Sequence, residues 1–291
     1  MSKIIKIGYL LSYDYKFIFK SLELVYDEAD DIVISYDKNN KTWSGNDISI
    51  PEYVFDEIKN IDRQNKIRFY ADEFYIGGHT PMELETRQRN LMGKFMGKGG
   101  WHLQIDSDEY PYDFRKLSNF LRKCAYLTRK PEKTPFNFLI NWVVLFKQNE
   151  NGFFVVQPFN ETCFMVTNSP QYTKARMPQN DRTLFLDYYV IHQSWARTES
   201  EILQKVNNWG HVNDFDVEGF FHIWKTLNKN NYTNYKNFHP LSGSSWENIE
   251  FFNAKDIDEF LLKFKTKYPQ KKLYLNISFT KKIKLYLKSL F

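Results

Sequence analysis

An α/β fold with a mainly parallel central sheet and helices on both faces is the architecture this sequence predicts, and three observations predict it. Apolar strand-like runs alternate with helical patterns through the first 110 residues, the signature of a parallel sheet. Acidic residues follow several of these runs directly, at the strand ends where such sheets bind ligands. The chain has 291 residues, 42% hydrophobic and 26% charged, which suits one large folded domain or two small ones and not a disordered chain.

The elements follow in order. Residues 4–11 read as a buried strand, and the loop Ser12-Tyr13-Asp14 comes after it. Residues 16–30 place Phe17, Phe19, Leu22 and Val25 near helical spacing. A short strand over 31–36 ends at Asp37, and the turn-rich stretch DKNNKTWSGND follows. Residues 51–61 read as a helix with Pro51 early in its first turn. A third strand covers 66–70. Thr80, Pro81 and Glu83 open the next helix as N-cap, first-turn proline and capping-box acid. That helix runs to about Met96, and Gly97, Gly99 and Gly100 end it before a strand over 102–105. Farther on, 137–146, 153–156, 163–166 and 184–191 read as strands, and 199–208 and 217–227 as helices.

Composition narrows the function classes. Aromatic residues make up 18% of the chain, and they stack on sugars and bases or fill a core. Cys124 and Cys163 match no zinc spacing and read as two free thiols of a reducing cytoplasm. The opening MSKIIKIGYLLSYDYKF is not a secretory signal, because Ser12, Tyr13 and Asp14 interrupt its short apolar run. No stretch approaches the roughly 18 apolar residues of a membrane span. The net charge is +5 and uneven: from residue 260 onward there are nine lysines and no acid. That pattern suits contact with an anionic membrane surface or a solvated terminal helix. The expected location is cytoplasmic, with the tail able to rest on the inner face of the membrane.

The stretch WHLQIDSDEYP sets Asp106, Asp108 and Glu109 at the end of an apolar strand. Buried carboxylates need a partner. Asp-x-Asp oxygens suit Mg²⁺ or Mn²⁺ completed by waters and substrate phosphates. Asp14 and Asp37 follow other strands and gather at the same rim.

Three features together resemble the A-type-fold glycosyltransferases, nearest glycosyltransferase family 2 and related bacterial surface-polysaccharide transferases. The first is Asp106-Ser107-Asp108, similar to the family's metal-holding Asp-x-Asp. The second is RQRNLMGKFMGKGGWHLQID, where Arg89-Asn90, Gly93 and Asp106 match the family's layout ahead of the metal strand. The third is IHQSWARTESEILQKVNNWGH, with His192, Glu199, Glu201 and Lys205 resembling a downstream His and an acid-containing helix. The resemblance covers roughly residues 4–225. It implies a Rossmann-like nucleotide-sugar-binding half at 1–110 and an acceptor half at 111–240; the basic tail reads as a separate helical extension at 241–291.

The activity it implies is transfer of a sugar from a nucleotide-sugar donor, a UDP-sugar, to a glycan or lipid-linked glycan acceptor, with inversion, in surface polysaccharide synthesis. Asp106, Asp108 and His192 would hold Mn²⁺ or Mg²⁺. Tyr13, Asp14, Asp37, Arg89, Asn90 and Asp106 would bind the donor, Tyr13 by stacking on the base and Asp37 by accepting a hydrogen bond from it. No Glu-Asp pair stands where the family keeps its base. Glu161, Asp187, Asp214, Asp216 and Glu218 are the candidates, with Asp214 and Asp216 ranked first. An acid at a helix N-terminus is the alternative reading of that pair.

Other classes compete. A sugar-phosphate nucleotidyltransferase also sets metal carboxylates on an α/β sheet, yet GYLLSYDYKF carries one glycine and no basic run. A non-catalytic nucleic-acid-binding protein should interleave basic and aromatic residues, whereas here the lysines pool at one end, so no nucleic-acid partner is expected. A glycosyltransferase fold serving only as a lectin is the remaining reading.

Overall fold

The computed structural model describes residues 3–180, 182–208, 210, 215–242 and 245–290. Four strands form its first half: β1 (Ile5–Leu10), β2 (Asp31–Asp37), β3 (Ile67–Asp72) and β4 (Trp101–Asp106). Between them lie α1 (Ile18–Val25), α2 (Glu52–Ile61) and α3 (Pro81–Phe95). β1 is buried along its whole length, as a strand covered on both faces must be, and its apolar run follows from that. The expected capping box opens α3: Glu83 N donates to Thr80 Oγ1 and Thr80 N to Glu83 Oε2. The other end of α3 is tied by Lys6, whose ammonium donates to the carbonyls of Met96, Gly97 and Lys98 at 2.8–3.0 Å, a cation at a helix C-terminus. Gly100 then turns the chain into β4. Its φ is +81°, and a Cβ there would meet Ile4 O at 2.6 Å.

The second half adds β5 (Glu109–Pro111), α4 (Phe114–Lys123), β6 (Asn137–Asn149), β7 (Gly152–Gln157), β8 (Thr162–Thr167) and the short hairpin β9 (Tyr172–Lys174) with β10 (Met177–Pro178). β11 (Thr183–His192), α5 (Glu199–Val206), α6 (Val217–Thr226), β12 (Asn248–Asn253), α7 (Ile257–Lys267) and α8 (Phe279–Leu290) follow. The central sheet runs β3-β2-β1-β4-β8-β6-β11. β1 to β4 are mutually parallel. β8 is antiparallel to both β4 and β6, and β11 is parallel to β6, so all strands of this order but β8 share one direction. β7 and β12 extend the far half of β6 with antiparallel pairs, and β5 pairs antiparallel with β11.

Helices cover both faces. Residues of α1, α2, α4 and α7 join the main core, while Met92 and Met96 at the end of α3 pack on Leu10 and Val33 from the opposite side. Alternation along β6 and β7 separates two cores: Leu145, Phe153 and Val155 face the main one, and Val144, Phe146, Phe154 and Val156 face a second one built with α5 and α6.

Past the boundary expected at residue 240 the chain continues to pack on the sheet. β12 is a sheet strand paired with β7, and Phe252, Phe260, Leu261 and Phe264 sit in the main core. The lysines of α7 hid this apolar stripe in the composition. No helix among the described residues is long and apolar enough to cross a membrane.

Candidate functional site

The carboxyl ends of β1 and β4 lie side by side, Leu10 paired with Asp106, and Ser107 Oγ donates to Leu10 O across the gap. β11 ends on the same rim. His192 pairs with Glu109 of β5, and Gln193 N donates to Asp108 O. Three segments far apart in sequence thereby meet around a cavity of about 340 Å³, whose walls include Tyr13, Asp14, Glu85, Arg89, Asp106, Asp108, Glu161, Arg176, His192 and Lys205. This volume falls in the range of small-ligand sites.

Asp14, Asp106, Asp108 and Glu109 each face a cation at this cavity. Asp106 accepts from Arg89 Nη2 at 2.8 Å and faces Arg176 Nη2 at 3.6 Å. Glu85 and Arg89, one turn apart on α3, pair at 2.9 Å. Arg176 forks onto Glu109 with bonds of 2.8 and 2.7 Å and lies over the Trp142 ring. Asp108 is hydrogen-bonded by Arg197, with Lys205 Nζ at 3.7 Å and His192 Nε2 at 3.6 Å. Asp14 lies 3.6 Å from Arg197. Arg89 Nη1 is a buried donor with no hydrogen-bond partner among the described residues.

The electrostatics follow from that pairing. Burial opposes ionisation of Asp106, yet Arg89 and Arg176 prevail and hold its carboxyl below the usual range. Burial acts likewise on Asp108, and His192, Arg197 and Lys205 hold it well below. Asp14 goes the other way: burial, with Asp108 and Asp106 nearby, pushes it up to about 6 against the pull of Arg197. Burial and Arg197 bring Lys205 down to about 8. Burial also lifts Tyr13 well above its ordinary value.

A divalent ion is a fair match to part of this donor set. Asp108 Oδ1 and His192 Nε2, 3.6 Å apart, are too far for a good hydrogen bond and close enough to share one ion. Among the described residues no group of three or more His, Cys, Asp or Glu is placed to hold a metal ion. An ion here would take Asp108 and His192 directly and complete its shell with substrate phosphates and water, the manner in which Mg²⁺ uses few protein ligands.

The opposite wall carries Glu161. Trp246 Nε1 donates to its Oε2 at 2.7 Å, and His239 Nε2 lies 3.8 Å from its Oε1. His239 Nδ1 accepts from the amides of Leu241 and Ser242, so in the neutral ring the proton is on Nε2, toward Glu161. Burial opposes ionisation, but His239 and Trp246 hold Glu161 below the usual carboxylate range. The Trp142 ring lies 4.7 Å from the His192 ring and joins the two walls.

Of the residues expected from sequence, Tyr13, Asp14, Arg89, Asp106, Asp108 and His192 meet at the cavity. Asp37 and Asn90 do not line it. Both oxygens of Asp37 are taken by backbone amides: Oδ1 by Asn39 and Lys41, Oδ2 by Phe74 and Tyr75. Asn90 clamps Tyr172 through both its amide and carbonyl, which steadies the hairpin carrying Arg176. Asp216 is the exposed N-cap of α6, accepting from Gly219 N, and does not line the cavity. Asp214 lies outside the described residues. Sequence reasoning missed Arg176 and Arg197. Arg197 had a usable signal, five residues past the strand-end His192; Arg176 sits in a polar loop with none.

No family model matches this sequence, and no curated protein matches it. Among solved structures, the crystal structure of mannose-6-phosphate isomerase from Helicobacter pylori is similar over 54% of this chain and 56% of that chain, with 16% identity and a TM-score of 0.31.

Proposed function

We propose that this chain is a metal-dependent glycosyltransferase that moves a sugar from a UDP-sugar to a glycan acceptor with inversion. The observation that carries the reading is the ring of interleaved acids and cations around the cavity at the carboxyl ends of β1, β4 and β11. Such a ring suits a charged, phosphate-bearing ligand better than an apolar one. The parallel first half and the strand-end acids are also what the resemblance to A-type glycosyltransferases implies.

In this reading Asp108 and His192 hold Mn²⁺ or Mg²⁺, and the ion when bound offsets charge on the departing diphosphate. Arg197 and Lys205 add positive charge beside Asp108, and Arg89 adds a free donor beside Asp106. Buried guanidinium groups cost little reorganisation as charge develops on the leaving group. Tyr13 stacks on the base. The partly exposed ring of Trp142 along the cavity offers an apolar surface to a sugar. Glu161, ionised and facing the cavity, takes the proton of the acceptor hydroxyl as general base.

A panel of nucleotide sugars, incubated with Mn²⁺, Mg²⁺ or EDTA, tests this. One UDP-sugar is expected to be hydrolysed slowly. EDTA stops the reaction, and Asp108→Asn lowers it by about a hundredfold or more while circular dichroism keeps the wild-type shape. Hydrolysis that survives EDTA would remove the metal from the reading, and no nucleotide-sugar binding by calorimetry would remove the donor.

A further inference from the structure

We propose that α8 is an interfacial helix that lays one face on an anionic lipid bilayer. Phe279, Ile283, Tyr286, Leu287 and Leu290 are 77%, 44%, 45%, 48% and 41% exposed. At about 100° per residue they fall on one stripe about 100° wide. Leu285 and Ser289, on a different side of the helix, are its buried residues. They seat it against the turn Ala125–Thr128, where the ring centroids of Tyr126 and Tyr286 lie 5.7 Å apart. Tyr286, which packs on Tyr126 and lies under Arg129, marks the edge of the docked face; Phe279, Ile283, Leu287 and Leu290 are the part of the stripe turned away from the two buried residues.

Charge decides what covers it. Lys282 borders the stripe on one side, and Lys284 and Lys288 on the other. The 32 residues from 260 to 291 hold nine lysines and no acid. A second copy of this chain would bring the same lysines against these, whereas anionic headgroups complement them. Apolar side chains flanked by lysines are the pattern of a helix lying in the headgroup region. Twelve residues span about 18 Å, well short of a bilayer core. This inference does not depend on sugar transfer, since the helix lies outside the cavity and its test needs no donor.

The test is co-sedimentation of the full chain with vesicles of phosphatidylcholine alone or with 30% phosphatidylglycerol. Binding is expected on the anionic vesicles and to fall steeply on raising the salt. Replacing Lys282, Lys284 and Lys288 together by Gln should lower partitioning by about a hundredfold, on the order of fivefold for each lysine. Phe279→Ser with Leu287→Ser should lower it on the same vesicles with unchanged circular dichroism. Equal binding to neutral vesicles overturns the proposal. So does an absence of vesicle binding, and most directly if the chain then self-associates in sedimentation equilibrium and the Phe279→Ser, Leu287→Ser variant does not.

Discussion

Asp37 and Asp106 each end a parallel strand on the same rim of one sheet, yet they do different work. Asp37 gives its oxygens to four backbone amides of its own loop and of the chain after β3. Asp106 faces two arginine side chains, and its neighbour Asp108 faces an arginine, a lysine and a histidine. Backbone donors are fixed by the loop they fold and cannot leave without unfolding it. Arginine and lysine heads sit on flexible stems and can turn to a ligand. A strand-end acid is thus a candidate only by position. The kind of donor that satisfies it separates a loop staple from a site.

The sharpest way to break this comparison is to remove the staple. Asp37→Ala leaves buried or half-buried amides, those of Phe74 and Tyr75 among them, without their acceptor. Unmet buried donors cost about 1–3 kcal/mol each, so a loss of about 3 kcal/mol or more is expected in urea unfolding. Nucleotide-sugar affinity of the folded protein should stay within about twofold. A tenfold loss of affinity at unchanged stability would return Asp37 to the donor site.

Asp14 sharpens the other side. Its carboxyl titrates at about 6 in the folded protein against an ordinary 3.8, so the folded state holds its proton more tightly than the unfolded chain. Its favourable contribution is whole below about pH 4 and is lost as pH rises through 6. Two units correspond to roughly 3 kcal/mol. Asp14→Asn, which mimics the protonated acid, should therefore be the more stable protein at pH 7.5 by up to about 3 kcal/mol, and should match the wild type at pH 4. Thermal melts at the two pH values give the answer. Equal melting temperatures at pH 7.5 would mean that Arg197 compensates Asp14 in full. An acid kept charged at a cost to stability is what a ligand site, and not a staple, requires.

Much of the first half was readable because its physics is local. Strands covered on both faces produce unbroken apolar runs, as in β1, and a helix start writes its own signal, as Thr80 and Glu83 do. Asp106, Asp108 and His192 were readable because strand ends converge. Of the cations around them, Arg89 and Lys205 were in view, and Arg176 and Arg197 were not. Arg176 reaches Glu109 across 67 residues and Arg197 reaches Asp108 across 89, and no periodicity encodes such pairs. The chain after 240 was hard to read for a different reason: lysines on the outer face of α7 outweighed Phe260 and Phe264 on its inner face. Asp37 carried both meanings in sequence, since an aspartate opening a turn is as often a backbone acceptor.

Asp216 offers the mildest trial of the same rule. It looked like a base because acids crowd the stretch HVNDFDVEGF, yet it accepts from Gly219 N at the start of α6 and is exposed. Its donor is again a backbone amide, which by the reasoning for Asp37 marks a structural acid. Asp216→Ala should therefore cost only what an N-cap is worth, about 1 kcal/mol, and Asp216→Ser should recover most of it, because a serine oxygen can accept the same hydrogen bond. Glycosyl transfer should be unaffected by either. If transfer instead fell a hundredfold in both variants at unchanged melting temperature, a backbone partner would no longer mark an acid as structural. The contrast between Asp37 and Asp106 would then need a different explanation.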